Sequence, residues 1–221
     1  YYPPFHPQIV VQLMRRLYWQ FDKTATKSDN LIFLNQRLAN LHKKIGAFKK
    51  GKKYSVVPIG TNPVKIGKTS NRKALILGFF GVLKISQGLD IILDNFDKIQ
   101  KIFPQVRLEI IGSGPDLDYY QRKSYKFSDR IKFYGFVSND NKINNIIATW
   151  SIGVAPYKPE PSNTSYFGDP SKIKRFLSLG IPVVTTDVFN FAKEIKKSEA
   201  GVIISYDNPK ELIDAIRKII L

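Results

Sequence analysis

Lys172 and Arg175 are the residues around which this 221-residue chain could do chemistry. They stand in YFGDPSKIKRFLSLGIPVVT, residues 166–185, three positions apart and so on one face of a helix. Asp169 is suited to cap that helix through its carboxylate, and Pro170 fits the first helical position. Gly180 and Pro182 end the helix, and Ile181–Val184 reads as a buried strand. Cations in an opening turn oppose the helix dipole, whose N-terminal end is already partly positive. A bound anion relieves that conflict, because free amides and both side chains can converge on it. The same stretch also fits a well-capped helix with solvated basic side chains, and alone it leaves both readings open.

The surrounding chain predicts how such a helix is positioned. From Ala74 onward, apolar runs at 74–80, 107–111, 131–134, 151–155, 181–185 and 201–205 read as strands. Helical patterns fill the gaps near 88–102, 116–127, 139–149, 170–179, 190–197 and 208–220. Alternation of this kind predicts an α/β fold, a Rossmann-like parallel sheet with helices on both faces. Ligands in such sheets sit beyond the carboxyl ends of the strands. Three glycine-bearing loops fall there. Gly78 and Gly81 of GFFGVLKISQG permit close approach of backbone to a ligand, and Lys84 can meet a phosphate. Gly112, Ser113 and Gly114 of GSGP follow the second strand, and Gly135, Phe136 and Val137 follow the third. Each loop alone also fits an ordinary turn; their coincidence at one sheet edge is the signal.

Composition narrows the chemistry further. The chain has no cysteine, so disulfides, thiolate metal sites and a cysteine nucleophile are out. Its two histidines, His6 and His42, stand in no metal-ligand spacing, and serine–histidine hydrolysis is disfavoured. No uninterrupted apolar run is long enough to span a bilayer. The net charge of +17 is unevenly spread: residues 1–73 hold 15 basic against 2 acidic side chains, residues 74–221 hold 20 against 16. The basic excess points to an anionic surface as partner, lipid headgroups or nucleic acid, and equally fits a solvated lysine-rich surface. Within it, Ile9, Val10, Leu13, Met14, Leu17, Tyr18 and Phe21 recur at helical spacing beside Arg15 and Arg16, a basic amphipathic helix. Further on, 31–34 and 54–58 read as short strands, and PIGTNP as a linker. The chain opens on Tyr1 rather than methionine, as expected of a piece of a longer protein.

The stretches GVLKISQGLDIIL, LEIIGSGP, IKFYGFV, SIGVAPY, DPSKIKRFLSLGIPVVTT and AGVIISYDNPKELIDAI occur in this order over most of residues 74–221. Together they resemble the GT-B glycosyltransferases, and most closely the retaining "glycosyl transferases group 1" (family 4-like) type. The resemblance implies that residues 63–221 are the C-terminal nucleotide-sugar-binding domain. It implies that residues 1–62 are the end of the N-terminal, acceptor-side domain with its hinge. Gly112–Pro115 matches the family's glycine turn beside the donor, and Gly135, Phe136 and Val137 match the segment whose backbone meets the base. Tyr166, Phe167, Gly168 and Asp169 match the loop whose amides approach the diphosphate. Lys172 and Arg175 are then expected to hold that diphosphate. Phe167 and Arg175 stand where many relatives carry glutamates, and Gln87 stands where a lysine is usual.

What the resemblance implies is sugar transfer from a nucleoside-diphosphate-sugar to a saccharide or lipid-linked acceptor in cell-surface glycan synthesis. Retention of configuration and independence from metal and cofactor follow from it too, the nucleotide sugar being itself the donor substrate. Residues 1–73 are expected to meet an anionic membrane surface, giving a cytoplasmic protein peripheral at the inner face. The departures at Phe167 and Arg175 also fit a catalytically silent nucleotide-sugar-binding or partner protein, and the architecture alone also fits a nucleotide-sugar epimerase. Nucleic-acid binding is disfavoured, since the basic excess lies mostly outside the α/β region and no recognised motif accompanies it.

Overall fold

A computed structural model of the protein describes residues 8–48, 51–61, 74–160 and 163–220. Pro3, Pro4, His6, Pro7, the expected boundary between 62 and 63, and the lysines at 49, 50, 65, 68 and 73 with Arg72 lie outside the described residues. The chain divides into two compact units, Tyr1–Ile59 and Gly60–Leu221.

In the first unit, α1 (Gln8–Ala25) is followed by β1 (Leu31–Phe33), α2 (Gln36–Lys44) and β2 (Tyr54–Val56). The Asn35 side chain starts α2 by accepting from the Leu38 amide at 2.9 Å. β1 and β2 pair in parallel, Leu31 opposite Tyr54, and Leu31, Phe33 and Ala39 form a small core against Leu38, Phe48 and Tyr54. On α1 the apolar side chains of Ile9, Leu13, Leu17 and Phe21 are exposed.

The second unit is built on six parallel strands. They are β3 (Ile76–Phe80), β4 (Arg107–Ile111), β5 (Ile131–Gly135), β6 (Ile152–Ala155), β7 (Val183–Thr186) and β8 (Gly201–Ile204). Their order is β5-β4-β3-β6-β7-β8. Strand alternation sends Leu77, Phe79, Leu108 and Ile110 to one face, under α3 (Asp90–Asp94), α4 (Phe96–Ile102), α5 (Leu117–Ser124) and α9 (Pro209–Ile220). Ile76, Phe80 and Ile111 go to the other, under α6 (Asp140–Ile147), α7 (Ser171–Ser178) and α8 (Ala192–Lys197). Every residue of β6 and β7 is buried, as central strands covered on both faces require.

Two expectations change in detail. The helix read over 88–102 breaks in two at Asn95, whose buried amide donates to the Ile91 carbonyl at 2.9 Å and competes with the helical ladder. Gly78, expected to approach a ligand, instead lies within β3 beneath the buried Trp150, and a Cβ there would fall inside the indole ring. Trp150 is fixed in turn by its Nε1–H donating to Glu109 Oε2 at 2.9 Å and by edge-on packing against Phe176. Gly78 is therefore a packing residue of the core, not part of a ligand loop.

Candidate active site

The chain leaves β3 toward β4 on one side, while β6 adds on the other. The strand order therefore reverses at the β3–β6 junction. A crevice opens at such a junction because successive crossovers diverge to opposite faces.

Gly81 follows β3 at that point with φ +139°, and Gly112 follows β4 with φ +141°, conformations that L side chains rarely adopt. They are stacked on each other: a Cβ on Gly112 would overlap the Gly81 carbonyl oxygen. Backbone bonds lace the two loops together, Gly81 N–H to the Ile111 carbonyl at 3.0 Å and Leu83 N–H to the Ser113 carbonyl at 2.9 Å. The Gly112 N–H reaches the Gly135 carbonyl at 2.9 Å, which brings in the third loop. The expected coincidence of three glycine loops is thus a hydrogen-bonded rim.

A cleft of about 490 Å³ lies along that rim and is lined by Gly81, Gly112, Ser113, Phe136, Val137 and Arg175 among the expected residues. Phe136 is 78% exposed at its mouth. Asp140, Ser138 and Phe80 also line it; sequence reasoning missed these, since Asp140 reads only as the first residue of a helix capped by Asn139. Gly114 packs against Leu83 instead, and Lys84 is exposed.

α7 begins at Ser171, one residue later than the expected start, with Pro170 flanking it. Asp169 forms an ion pair with Lys174, their side chains only 6% and 9% exposed, and Lys174 also lies over the Phe191 ring. Tyr166 and Phe167 pack edge to face in a 3₁₀ turn over Thr164–Phe167, followed by Gly168 in extended backbone.

Of the two expected cations of α7, Lys172 lies against Gly81 without lining the cleft, and Arg175 lines the cleft over Phe80. Lys172 Nζ lies 3.0 Å from the position a Cβ of Gly81 would take, 4.7 Å from each of the Phe79 and Tyr157 ring centroids, and 2.7 Å from Gln87 Oε1. Desolvation holds its ammonium down to about 7, and burial pushes the Tyr157 hydroxyl up. Arg175 stacks with its guanidinium carbon 5.3 Å from the Phe80 centroid and donates to Asp140 Oδ1 at 2.7 Å. Phe79 and Phe80 are consecutive, so the two cations are carried by neighbouring residues at the end of one strand. No cluster of three or more histidine or acidic side chains suited to a metal ion occurs among the described residues.

Residues 74–221 match the family model for glycosyl transferases group 1. The chain belongs to that family. Among solved structures, the lipopolysaccharide outer core galactosyltransferase WaaB in its apo form is similar, with 18% identity, 90% of this chain and 54% of that one covered, and a TM-score of 0.65. The pneumococcal O-GlcNAc transferase GtfA, solved with UDP and GlcNAc, gives 17% identity, 90% and 39% coverage, and a TM-score of 0.68. HepE from Anabaena, solved with UDP and glucose, gives 18%, 91% and 57%, and 0.65. At these identities the likeness is one of fold, the α/β architecture of GT-B glycosyltransferases. This family member spans about half the length of WaaB or HepE and less of GtfA. No curated protein matches the chain.

Proposed function

We propose that residues 63–221 bind a nucleoside-diphosphate-sugar at the β3–β6 crevice. They would serve transfer of its sugar to a saccharide or lipid-linked acceptor, with residues 1–62 belonging to the acceptor side. The observation that carries this reading is that Lys172 lies against Gly81 and Arg175 lines the neighbouring cleft, both at the switch point of a parallel sheet. A diphosphate is the ligand whose charge such a pair complements, while the Ser171 and Ile173 amides of the opening turn of α7 already donate to the Asp169 and Pro170 carbonyls. The exposed ring of Phe136, with Val137 and Phe80, offers an apolar seat for the base.

In the reaction so proposed, the bond between the anomeric carbon and the β-phosphate oxygen breaks, and its electron pair leaves with the diphosphate. The acceptor hydroxyl oxygen bonds to that carbon, and its proton passes to a phosphate oxygen. Charge then develops on the leaving phosphates, where preorganised cations and amides act, each well-placed donor being worth about 3 kcal/mol. Lys172 and Arg175 carry that role without calling on a metal, and retention of configuration is inferred from the family resemblance.

A thermal-shift screen with UDP, GDP, ADP and their sugars tests the reading. A selective rise in melting temperature with one base is expected, since a ligand that binds only the folded state stabilises it by mass action. No rise with any of them sinks it. A second reading, a silent nucleotide-sugar-binding protein, is favoured by one observation. The cleft's acidic lining residue, Asp140, is committed to Arg175, itself in a position where relatives carry a glutamate. Donor binding without hydrolysis or transfer would select it.

We also infer that the protein is cytoplasmic and that α1, with its exposed Ile9, Leu13, Leu17 and Phe21 beside Arg15 and Arg16, lies on an anionic membrane. No helix among the described residues is long and apolar enough to cross one. Sedimentation with anionic vesicles at low salt, and release at high salt, is expected; equal partition onto neutral vesicles overturns it.

A further inference from the structure

Asn163 is only 3% exposed, yet it sits in a loop between β6 and α7, where most polar side chains are solvated. All of its amide's hydrogen atoms are spent. Nδ2 donates to the Ser86 carbonyl at 2.8 Å and to the Lys158 carbonyl at 2.8 Å, and Oδ1 accepts from the Ser165 amide at 3.0 Å. Capping a single 3₁₀ turn needs only the last of these. The two donations are a separate device: they reach out of the turn, one of them across to the loop that follows β3.

The contacts close into a ring. Asn163 holds the Ser86 carbonyl; Gln87, the next residue, donates through Nε2 to Ser165 Oγ at 3.4 Å; and the Ser165 amide returns to Asn163 Oδ1. The Lys158 amide adds a further bond to the Ser86 carbonyl at 3.1 Å. Lys172 hangs on this ring, since Gln87 Oε1 is the acceptor of its ammonium. A shift of the Thr164–Gly168 backbone therefore moves Gln87, and with it the partner that aims Lys172 beside Gly81.

We propose that Asn163 is a positioning residue for donor binding. It clamps the 164–168 turn onto the first loop and so sets the distance between that turn's backbone and Lys172, the two sides of the phosphate seat. This rests on the donor-site reading given above. Sites of this kind lose affinity when supporting groups let the contacting groups drift by as little as an ångström.

Asn163→Asp isolates the clamp. Aspartate is as good a cap as asparagine and keeps an acceptor for the Ser165 amide, but it sets carboxylate oxygens against the Ser86 and Lys158 carbonyls. Asn163→Ala removes both functions. Two measurements are made on the whole protein and on both variants: amide hydrogen exchange without ligand, and calorimetric titration with UDP, GDP and ADP. Asn163→Asp is expected to speed exchange at Lys158, Tyr166 and Gly168 while the strand amides of β3 and β6 stay protected, and Asn163→Ala to speed it at Ser165 as well. It is also expected to weaken the preferred diphosphate by about tenfold or more, the factor that one lost hydrogen-bonded contact gives. In a transfer assay the loss falls on the KM for donor and not on the KM for acceptor. Unchanged exchange in the Asp variant overturns the clamp, whatever the ligand does. Faster exchange with unchanged affinity overturns the role in binding. A wild-type protein that binds none of the three diphosphates sinks the donor reading and this role with it, while the exchange data still decide whether the clamp exists.

Discussion

The ammonium of Lys172 faces the side-chain oxygen of Gln87, 2.7 Å away, between the rings of Phe79 and Tyr157 and not beside a carboxylate. That pocket accepts a cation only at a cost, which is why desolvation brings its pKa to about 7 from the ordinary 10.5. An incoming phosphate supplies the negative charge the pocket lacks.

Diphosphate affinity should therefore depend on pH. Between about 7 and 10.5 the folded, unliganded protein holds Lys172 largely neutral while the unfolded chain keeps it charged. The unfolded state then binds more protons, and this group adds stability as pH rises through that window. Ligand binding runs the opposite way, because it needs the ammonium. Titrations with UDP, GDP or ADP at pH 6, 7, 8 and 9, round values chosen to bracket the shift, should show affinity falling by up to about tenfold per pH unit above the lowered pKa. Proton uptake should appear as a dependence on buffer ionisation enthalpy. Lys172→Arg, which does not titrate, should flatten the profile; an unchanged slope in that variant would locate the proton elsewhere.

Gly78→Ala and Gly112→Ala separate packing from site geometry. The first pushes a methyl into the Trp150 indole within the core and is expected to cost about 3 kcal/mol or more of stability. The second drives a methyl onto the Gly81 carbonyl and strains a φ of +141° at the rim. Chemical denaturation should therefore show both variants destabilised. Diphosphate binding below the transition should survive in Gly78→Ala and be lost in Gly112→Ala.

The Arg175–Asp140 pair is expected to matter for binding far more than for folding. Asp140 is well exposed, so breaking the pair should change stability by no more than about 1 kcal/mol. Arg175→Ala should weaken diphosphate binding about tenfold, the factor for one charge-assisted contact. Asp140→Asn should tighten it severalfold by removing the competing anion. In the double variant the gain from Asp140→Asn should vanish, and additive effects would show that the two residues act independently.

Glu199 carries φ +54° directly after α8, at the position where helices favour a left-handed glycine. Glu199→Gly is expected to stabilise the protein by roughly 0.5–1 kcal/mol, a rise of about 1–4 °C in melting temperature for a unit of this size. A lower melting temperature would show that the glutamate makes a compensating contact.

Much of this was legible in the chain itself. Strand and helix periods between Ala74 and Leu221 predict the parallel sheet because its central strands are buried on both faces, leaving apolar runs such as IGVA. The glycines at 81 and 112 were legible for the same reason they are needed, since few other residues tolerate their backbone. Gly78 misled because its reason lies 72 positions away, in a tryptophan that local pattern does not connect to it. The break at Asn95 depends on where one amide points, and a helical period is silent on that. Lys172 was found from its place in a helix, but its aromatic surroundings come from β3 and from the end of β6, and Asp140 reached the cleft only through the packing of α6. Asn163 gave no signal at all, because an asparagine in a loop is ordinary until it is seen to be buried.

The strand order also bears on how the second unit assembles. All of its neighbouring strands are parallel, so each pairing closes a crossover, and closure entropy grows with the length enclosed. Most of these closures are modest: Ile76 meets Arg107, Leu108 meets Ile131, and Val183 meets Gly201. The β3–β6 pairing is different, since Leu77 must find Ile152 across the whole of the intervening β4 and β5 segments. That joint encloses the longest stretch of chain in the sheet, and prior pairing of β3, β4 and β5 shortens what remains to be closed to the segment after Gly135. The β3–β4–β5 half can pair before β6 arrives, so the rim made by Gly81, Gly112 and Gly135 can form early, while the crevice it borders exists only once β6 has joined β3.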